Sequence, residues 1–271
     1  MTTPEPVVIA APWSGLQRFT DARIALGRAG HSLPTAAHLG FQLAHAQARD
    51  AVHLPLEAID VSRSIEALGL TTLALHSAAP DRATYLQRPD FGRKLDEPSR
   101  QALKDWRAEH SVATRLDVAF VVADGLSALA IHKNAAALLG AIVARLQGGA
   151  HDPRSIGPVV LVEQGRVAIG DEVGEILQAN AVVVLIGERP GLSSPDSLGI
   201  YLTWDPYVGR NDSQRNCISN VRPTGLSTES AAAKLHHLLE RSRTLQLSGV
   251  ALKDECQELA PADPIRRVPQ R

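Results

Sequence analysis

Residues 117–127 read D-V-A-F-V-V-A-D-G-L-S, and this stretch decides the fold. Its continuous apolar run at 118–122 predicts a strand that is buried on both faces. Gly125 permits a tight turn, and the Ala- and Leu-rich residues at 126–146 predict a helix directly after it. A buried strand that turns sharply into a helix is the repeating unit of α/β proteins.

The same unit recurs along the chain. Strands are predicted at 71–76, 118–122, 159–162, 182–186 and 200–204, and helices at 99–110, 126–146, 170–179 and 227–245. Before residue 71 the periodicity instead predicts two helices, at 34–56 and 56–68. The sequence therefore predicts an N-terminal arm and small helical module at 1–70. An α/β domain should follow at 71–271, with a Rossmann-like, mostly parallel sheet and helices on both faces.

Composition narrows the class of protein. The 28 Lys and Arg residues nearly balance 29 Asp and Glu residues, so nucleic acid and acidic membranes are not expected partners. No apolar stretch reaches the ~18 residues of a membrane span, and the apolar run at 135–144 predicts a buried helix. Residues 1–12 lack the pattern of a signal peptide, and the tail after Leu259 should be disordered. Two cysteines, Cys217 and Cys256, are too few for a disulfide framework and favour a reducing cytoplasm.

Common catalytic and nucleotide-binding motifs are absent from the sequence, including the P-loop, G-x-G-x-x-G, H-E-x-x-H, C-x-x-C and G-x-S-x-G. His236 and Glu240 have the i,i+4 spacing of a ligand pair, but without a third ligand a solvated helix face is favoured over a metal site. His38 and His45 are interpreted as packing or hydrogen-bonding to neighbours.

Two junctions between a predicted strand and the next loop concentrate polar residues. Asp124 follows the strand at 118–122 and is either a functional carboxylate or, with Ser127, a helix cap. The segment at 163–175 reads E-Q-G-R-V-A-I-G-D-E-V-G-E, and its glycines let the backbone approach another group closely. Asp171 and Glu172 fall in the first turn of the next helix, where carboxylates are usually structural.

A third junction, at 187–196, reads G-E-R-P-G-L-S-S-P-D and follows the most hydrophobic strand. Its Pro and Gly residues predict an ordered loop. Glu188 is placed either to accept hydrogen bonds from a ligand or to form a salt bridge with Arg189 or another arginine. Further on, 215–220 reads R-N-C-I-S-N and is predicted to be a loop, in which Cys217 either packs or contacts a ligand.

Together these segments resemble the small (light) subunit of ethanolamine ammonia-lyase. The resemblance runs from about Arg18 to Glu255. It includes A-R-I-A-L-G-R-A-G-H-S-L-P-T at 22–35, E-Q-G-R-V-A-I-G-D-E at 163–172, I-G-E-R-P-G-L-S-S-P-D-S-L-G-I-Y-L-T-W at 186–204 and R-N-C-I-S-N at 215–220. Runs of this length in one order are specific.

The resemblance implies a carbon–nitrogen lyase that converts ethanolamine to acetaldehyde and ammonia by a radical mechanism with adenosylcobalamin. The large subunit would hold the substrate, and the small subunit would be inactive alone and supply part of the cobalamin site between the subunits. By matching segments, the family's cofactor contacts fall on Val167, Glu188 and Cys217, and no catalytic residue or metal ligand is expected in this chain. The absence of D-x-H-x-x-G implies the base-on form of the cofactor.

The resemblance also bears on location. It leaves open whether this protein, which the cysteine count places in the cytoplasm, is encapsulated in a bacterial microcompartment. Family members in microcompartments often carry a longer N-terminal extension, whereas about 17 residues precede Arg18 here.

Two other functions remain open on the residues alone. One is a self-sufficient α/β enzyme that uses Asp124, Ser127 and Glu188, although no pair of nucleophile and base is evident. The other is a structural adaptor that stabilises a partner enzyme without touching a cofactor.

Overall fold

The computed structural model describes residues 7–110, 115–148 and 155–253. Its strands are β1 Thr72–His76, β2 Leu116–Ala123, β3 Ile156–Glu163, β4 Ala179–Gly187, β5 Leu198–Trp204 and β6 Arg215–Val221. Its helices are α1 Thr35–His53, α2 Ala58–Glu66, α3 Arg82–Gln87, α4 Glu97–Glu109, α5 Ala128–Gln147, α6 Ile169–Leu177 and α7 Thr228–Leu245. The predicted tail after Leu259 and Cys256 lie outside the described residues.

One six-stranded sheet organises the fold, in the order β1-β3-β2-β4-β5-β6. The four strands from β1 to β4 are parallel, whereas β5 runs antiparallel to both β4 and β6. The prediction of a mostly parallel α/β sheet preceded by N-terminal helices is therefore confirmed. The strand predicted at 71–76 joins the sheet at its edge, beside β3.

Helices cover both faces of the sheet, as predicted. On one face α2, α5 and α7 pack over Phe120 and Leu185, and on the other α4 and α6 pack over Val121 and Val184. Every one of these strand side chains is at most 2% exposed, so both faces of the central strands exclude water.

Helix α5 contains the apolar run at 135–144. By length and composition alone it could cross a membrane, but half of its apolar window is buried in the protein. Ala135, Leu138 and Ile142 are fully buried in the core cluster of the sheet. The prediction of a buried helix is therefore confirmed.

The segment at 215–220 was predicted to be a loop, and this prediction was wrong. It lies in β6, where Cys217 pairs with Tyr201 of β5. Ile218 and Val221 are buried against the core, whereas Cys217 and Ser219 are exposed. Cys217 and Ser219 belong to the uncovered face of an edge strand, which tolerates polar residues because solvent reaches it, whereas Asn216 hydrogen-bonds to the backbone of Gly249 and Leu252.

The prediction that His38 and His45 pack or hydrogen-bond with neighbours is confirmed. The His38 ring lies 2.9 Å from the side-chain nitrogen of Gln42, and His45 stacks on Phe41. For His236 and Glu240, no group of three or more metal-binding side chains occurs within residues 7–110, 115–148 and 155–253.

Candidate functional site

The carboxyl ends of β2, β3 and β4 meet at one edge of the sheet, where α/β proteins bind ligands. Asp124, Gln164 and Glu188 are the first residues after these three strands. Gly125 lets the chain turn there, because it has φ +55° and a Cβ at this position would lie 2.3 Å from the carbonyl oxygen of Gly187. The turn after β2 therefore packs directly against the end of β4.

Asp124 is a buried structural anchor at this edge. One of its oxygens lies 3.3 Å from the Arg82 guanidinium, and the other accepts the backbone N–H of Gly165 at 3.1 Å. Burial raises the pKa of Asp124 to about 6, while Arg82 opposes that shift. The carboxylate thus ties α3 and the loop after β3 to the end of β2.

Ser127 is the N-cap of α5, and this is the alternative that the sequence left open. Its hydroxyl accepts the N–H of Ala130 at 3.2 Å and donates to the carbonyl of Pro195 at 2.7 Å. Because Ser127 is fully buried and its hydroxyl is committed, it is not presented as a nucleophile to a substrate.

The segment before Val167 is held by Tyr85 and its neighbours. The Tyr85 hydroxyl donates to the carbonyl of Gly165 at 3.2 Å. Arg166 donates from its backbone to Gly92 at 2.8 Å and from its guanidinium to the Tyr85 carbonyl at 2.9 Å. Val167 itself is partly exposed and packs against the core beside α6. Its backbone position is therefore set by a network built on α3.

Glu188 forms no salt bridge with any of the described residues, although a salt bridge was its alternative interpretation. Its carboxylate oxygen Oε2 accepts the Ser197 hydroxyl and the backbone N–H of Asn220 at 3.2 Å. Within the part of the chain that the structure describes, the other oxygen, Oε1, accepts no hydrogen bond. Glu188 is partly exposed, so this oxygen remains available to a donor from outside the subunit.

Gly199 makes room for the Glu188 carboxylate. A Cβ on Gly199 would lie 3.0 Å from Oε1 of Glu188 and 3.3 Å from the ring of Tyr201. Contacts this short require one of the neighbours to move. The carboxylate therefore lies directly over the backbone of β5.

Cys217 lies on the same face of the sheet as Tyr201, with which it pairs. The two side chains lie close enough for each to shift the pKa of the other. Although Cys217 is exposed as a residue, its neighbours desolvate the thiol and raise its pKa, and the Glu188 carboxylate adds to this shift while Tyr201 opposes it. A thiol with a raised pKa stays protonated near neutral pH, so Cys217 is a polar contact rather than a nucleophile.

These side chains form one surface, which we call the open sheet face: Glu188, Gly199, Tyr201 and Cys217. Helix α6 covers the adjacent strand β4, where Gly170 lies against Val184. Val184 pairs with Tyr201, and Tyr201 pairs with Cys217. These three paired residues therefore span about 10 Å from β4 to β6, because neighbouring strands lie about 5 Å apart. Val167 lies three residues before Gly170, in the turn that leads into α6.

The structure thus brings Glu188 and Cys217 close together, while Val167 lies in the turn before α6, whose Gly170 packs on β4. Gly199 and Tyr201 were missed by sequence reasoning, although their spacing of two along a predicted strand places them on one face. Arg82 and Tyr85 were also missed. No local pattern relates Arg82 to Asp124, because the two residues meet only through the fold.

Comparisons with known proteins agree on one family. A family model described as ethanolamine ammonia-lyase light chain (EutC) matches residues 10–253. An ethanolamine ammonia-lyase small subunit from Azotobacter vinelandii is 58% identical over 246 residues, 91% of this chain and 89% of the relative. The small subunit from Xanthomonas campestris pv. campestris is 58% identical over 90% of this chain and 88% of the relative. That from Pseudomonas syringae pv. tomato is 56% identical over 92% and 85%, respectively. The chain therefore belongs to the ethanolamine ammonia-lyase light-chain family.

Proposed function

We propose that this chain is the small subunit of an adenosylcobalamin-dependent ethanolamine ammonia-lyase and that its open sheet face, with Val167, forms part of the cofactor site. The observation that carries the proposal is the carboxylate oxygen Oε1 of Glu188, which accepts no hydrogen bond from the described residues and lies on a face that those residues leave uncovered. A large subunit would complete the site and hold ethanolamine. The reaction gives acetaldehyde and ammonia.

The residues present suit a corrinoid. The rim of cobalamin carries amide groups, which donate hydrogen bonds through N–H and accept them through C=O. Oε1 of Glu188 can accept from such an amide, and a carboxylate acceptor strengthens the hydrogen bond. The absence of a side chain at Gly199 leaves room for the Glu188 carboxylate to lie over β5.

The other two residues have simpler roles in this proposal. Cys217 offers a protonated thiol beside the Tyr201 hydroxyl, and Val167 offers an apolar contact and its backbone at the start of α6. When bound, adenosylcobalamin would supply the radical that initiates the reaction. This chain's own residues would only bind the cofactor, orient it and exclude water from it.

We further propose that the cofactor binds base-on. Among the described residues, the open sheet face presents a carboxylate, a phenol and a thiol, and no imidazole that could replace the cofactor's own base on cobalt. The division at residues 1–70 and 71–271 and a cytoplasmic location also stay proposals, with encapsulation in a microcompartment left open.

The proposal predicts that activity depends on a partner. The purified chain should release no ammonia from ethanolamine. The same chain co-expressed with the large subunit should release ammonia only when adenosylcobalamin is added. The measurement is a coupled ammonia assay on both preparations, with the large subunit alone as the control. Turnover by the isolated chain would instead favour the self-sufficient enzyme. Full activity of the large subunit without this chain would also contradict the proposal.

A further inference from the structure

Helix α1 buries its small side chains and exposes its large apolar ones, which is the reverse of an ordinary surface helix. The side that faces its own subunit is lined by alanines, and Ala44, Ala48 and Ala51 are its buried residues. Its larger side chains point outward, with Leu39 57% and Leu43 61% exposed. A surface helix normally turns its largest apolar side chains towards the core. The outward position of these leucines is therefore not explained by contacts within residues 7–110, 115–148 and 155–253.

These leucines belong to a regular stripe. Ala36, Leu39, Leu43 and Ala46 follow one another at intervals of three, four and three residues, the spacing of a helix seam that packs against a partner helix. Ala36 is exposed and Ala46 is partly exposed. We call these four residues the outward stripe.

The segment that precedes α1 also leaves its apolar side chains exposed. None of residues 7–33 is buried. Eleven of the seventeen large hydrophobic side chains that are exposed in the described residues lie within residues 7–54. Exposed apolar side chains at this density mark an interaction surface rather than scattered surface residues.

Two contacts join this region to the proposed cofactor surface. The guanidinium of Arg23 lies 3.5 Å from the carbonyl oxygen of Leu192, in the loop that begins with Glu188. Near the end of α1, the carbonyl of Val52 accepts a 2.6 Å hydrogen bond from Arg82, which also contacts Asp124 and Gln164. The N-terminal region and the cofactor surface are therefore neighbours at the same edge of the sheet.

We propose that the outward stripe of α1 is a docking surface for the large subunit, which should meet it with an apolar helix. The inference rests on the proposed function, because it takes the occupant to be the protein that completes the cofactor site. One partner that covers the open sheet face would extend over the neighbouring N-terminal region. A docking surface separate from the cofactor contacts would let the subunits assemble before the cofactor binds.

The test is the affinity between the two subunits without adenosylcobalamin, so that the cofactor contributes no contact. Leu39→Glu combined with Leu43→Glu places two charges in the stripe, while glutamate retains helix propensity. The matched control is Val250→Glu, because Val250 is 80% exposed and lies near the start of β6 rather than at the carboxyl end of β4. Circular dichroism and thermal melting check that all variants fold as the wild type does.

We expect the double variant to raise the dissociation constant of the two subunits at least tenfold. The control variant should leave it unchanged. An unchanged dissociation constant in the double variant would overturn the proposal. So would a dimer of the small subunit alone that the double variant dissociates while its affinity for the large subunit stays the same. A failure of the proposed function looks different, because the wild-type subunits would then assemble without binding adenosylcobalamin.

Discussion

Replacing Arg215 by alanine should lower the free energy of unfolding by about 3–5 kcal/mol. The Arg215 guanidinium forms a two-pronged ion pair with Asp171, at 2.5 and 2.7 Å. The two side chains are only 2% and 3% exposed. Removal of the arginine leaves the Asp171 carboxylate buried without its partner. An uncompensated buried charge strongly lowers the free energy of unfolding. Natural domains have about 5–15 kcal/mol of stability in total, so the loss should be conspicuous in a denaturant titration.

A surface ion pair provides the control. Arg63 and Asp60 lie 3.2 Å apart, with exposed fractions of 73% and 72%. Arg63→Ala should therefore change the unfolding free energy by at most about 1 kcal/mol. Replacing both buried partners, with Arg215→Met and Asp171→Leu, should recover much of the lost stability because no charge is left unpaired. If Arg215→Ala costs no more than Arg63→Ala, the buried pair does not stabilise this fold.

The pair also matters to the candidate site. Arg215 begins β6, two residues before Cys217, and Asp171 lies in the first turn of α6, four residues after Val167. The ion pair therefore fixes the distance between two of the three proposed cofactor contacts, because it joins the elements that carry them.

The second large effect is expected at Gly199. Gly199→Val should weaken adenosylcobalamin binding by the assembled enzyme roughly 10- to 100-fold, since the added methyl groups displace the Glu188 carboxylate. Loss of a hydrogen bond to a charged group costs about 1.5–3 kcal/mol, and each 1.4 kcal/mol is a factor of ten. Valine suits a strand, so the variant should still fold. The measurement is a cofactor titration of the purified complex.

Gly199→Ala should have a smaller effect, because its single methyl group requires the Glu188 and Tyr201 side chains to shift by only a few tenths of an ångström. It should fall between the wild type and Gly199→Val. Gly140→Ala is the control, since a Cβ there would make an ordinary 3.4 Å contact with Leu68, far from the open sheet face. Cofactor affinity that is the same in all three variants would show that the space over Gly199 is not used by Glu188 in binding.

Much of the fold could be predicted from the sequence because its central strands carry continuous apolar runs. The run at 182–186 is buried on both faces of the sheet, and the helix at 126–146 buries one broad apolar side, so hydrophobicity marks both of them. Strand β6 was not predicted because it is an edge strand with one uncovered face. Its exposed residues Cys217 and Ser219 resemble those of a loop. Helix α3 escaped because six residues are too few to show a period.

Strand direction was only partly predictable. The chain passes from β4 to β5 through residues 188–197 without a helix. A parallel connection needs a crossover of a dozen or more residues, usually a helix, so this short connection reverses the chain direction. Among the described residues, the reversal leaves the Tyr201 and Cys217 side of β5 and β6 open, as the proposed cofactor site requires.

The candidate site was less accessible than the fold. The sequence placed Glu188 at a strand end, but it did not distinguish a salt bridge from a ligand contact. Its actual partners, Ser197 and the backbone of Asn220, depend on strand pairing across β5 and β6. Likewise, Asp124 stood out as a polar residue at a strand end, yet its role as an anchor depends on Arg82, which only the tertiary fold brings to it.

The central claim is that this subunit contributes Glu188 to the adenosylcobalamin site of the assembled enzyme. Its most direct test is a titration of wild-type and Glu188→Gln complexes with adenosylcobalamin, at equal subunit assembly. Glutamine has the same size as glutamate and can still accept a hydrogen bond from Ser197. It lacks only the negative charge. The account predicts a rise in the apparent dissociation constant of roughly 5- to 10-fold, because the glutamine oxygen can still accept a hydrogen bond but without the strengthening that the charge provides. A dissociation constant equal to that of the wild type would contradict it and would favour a structural adaptor.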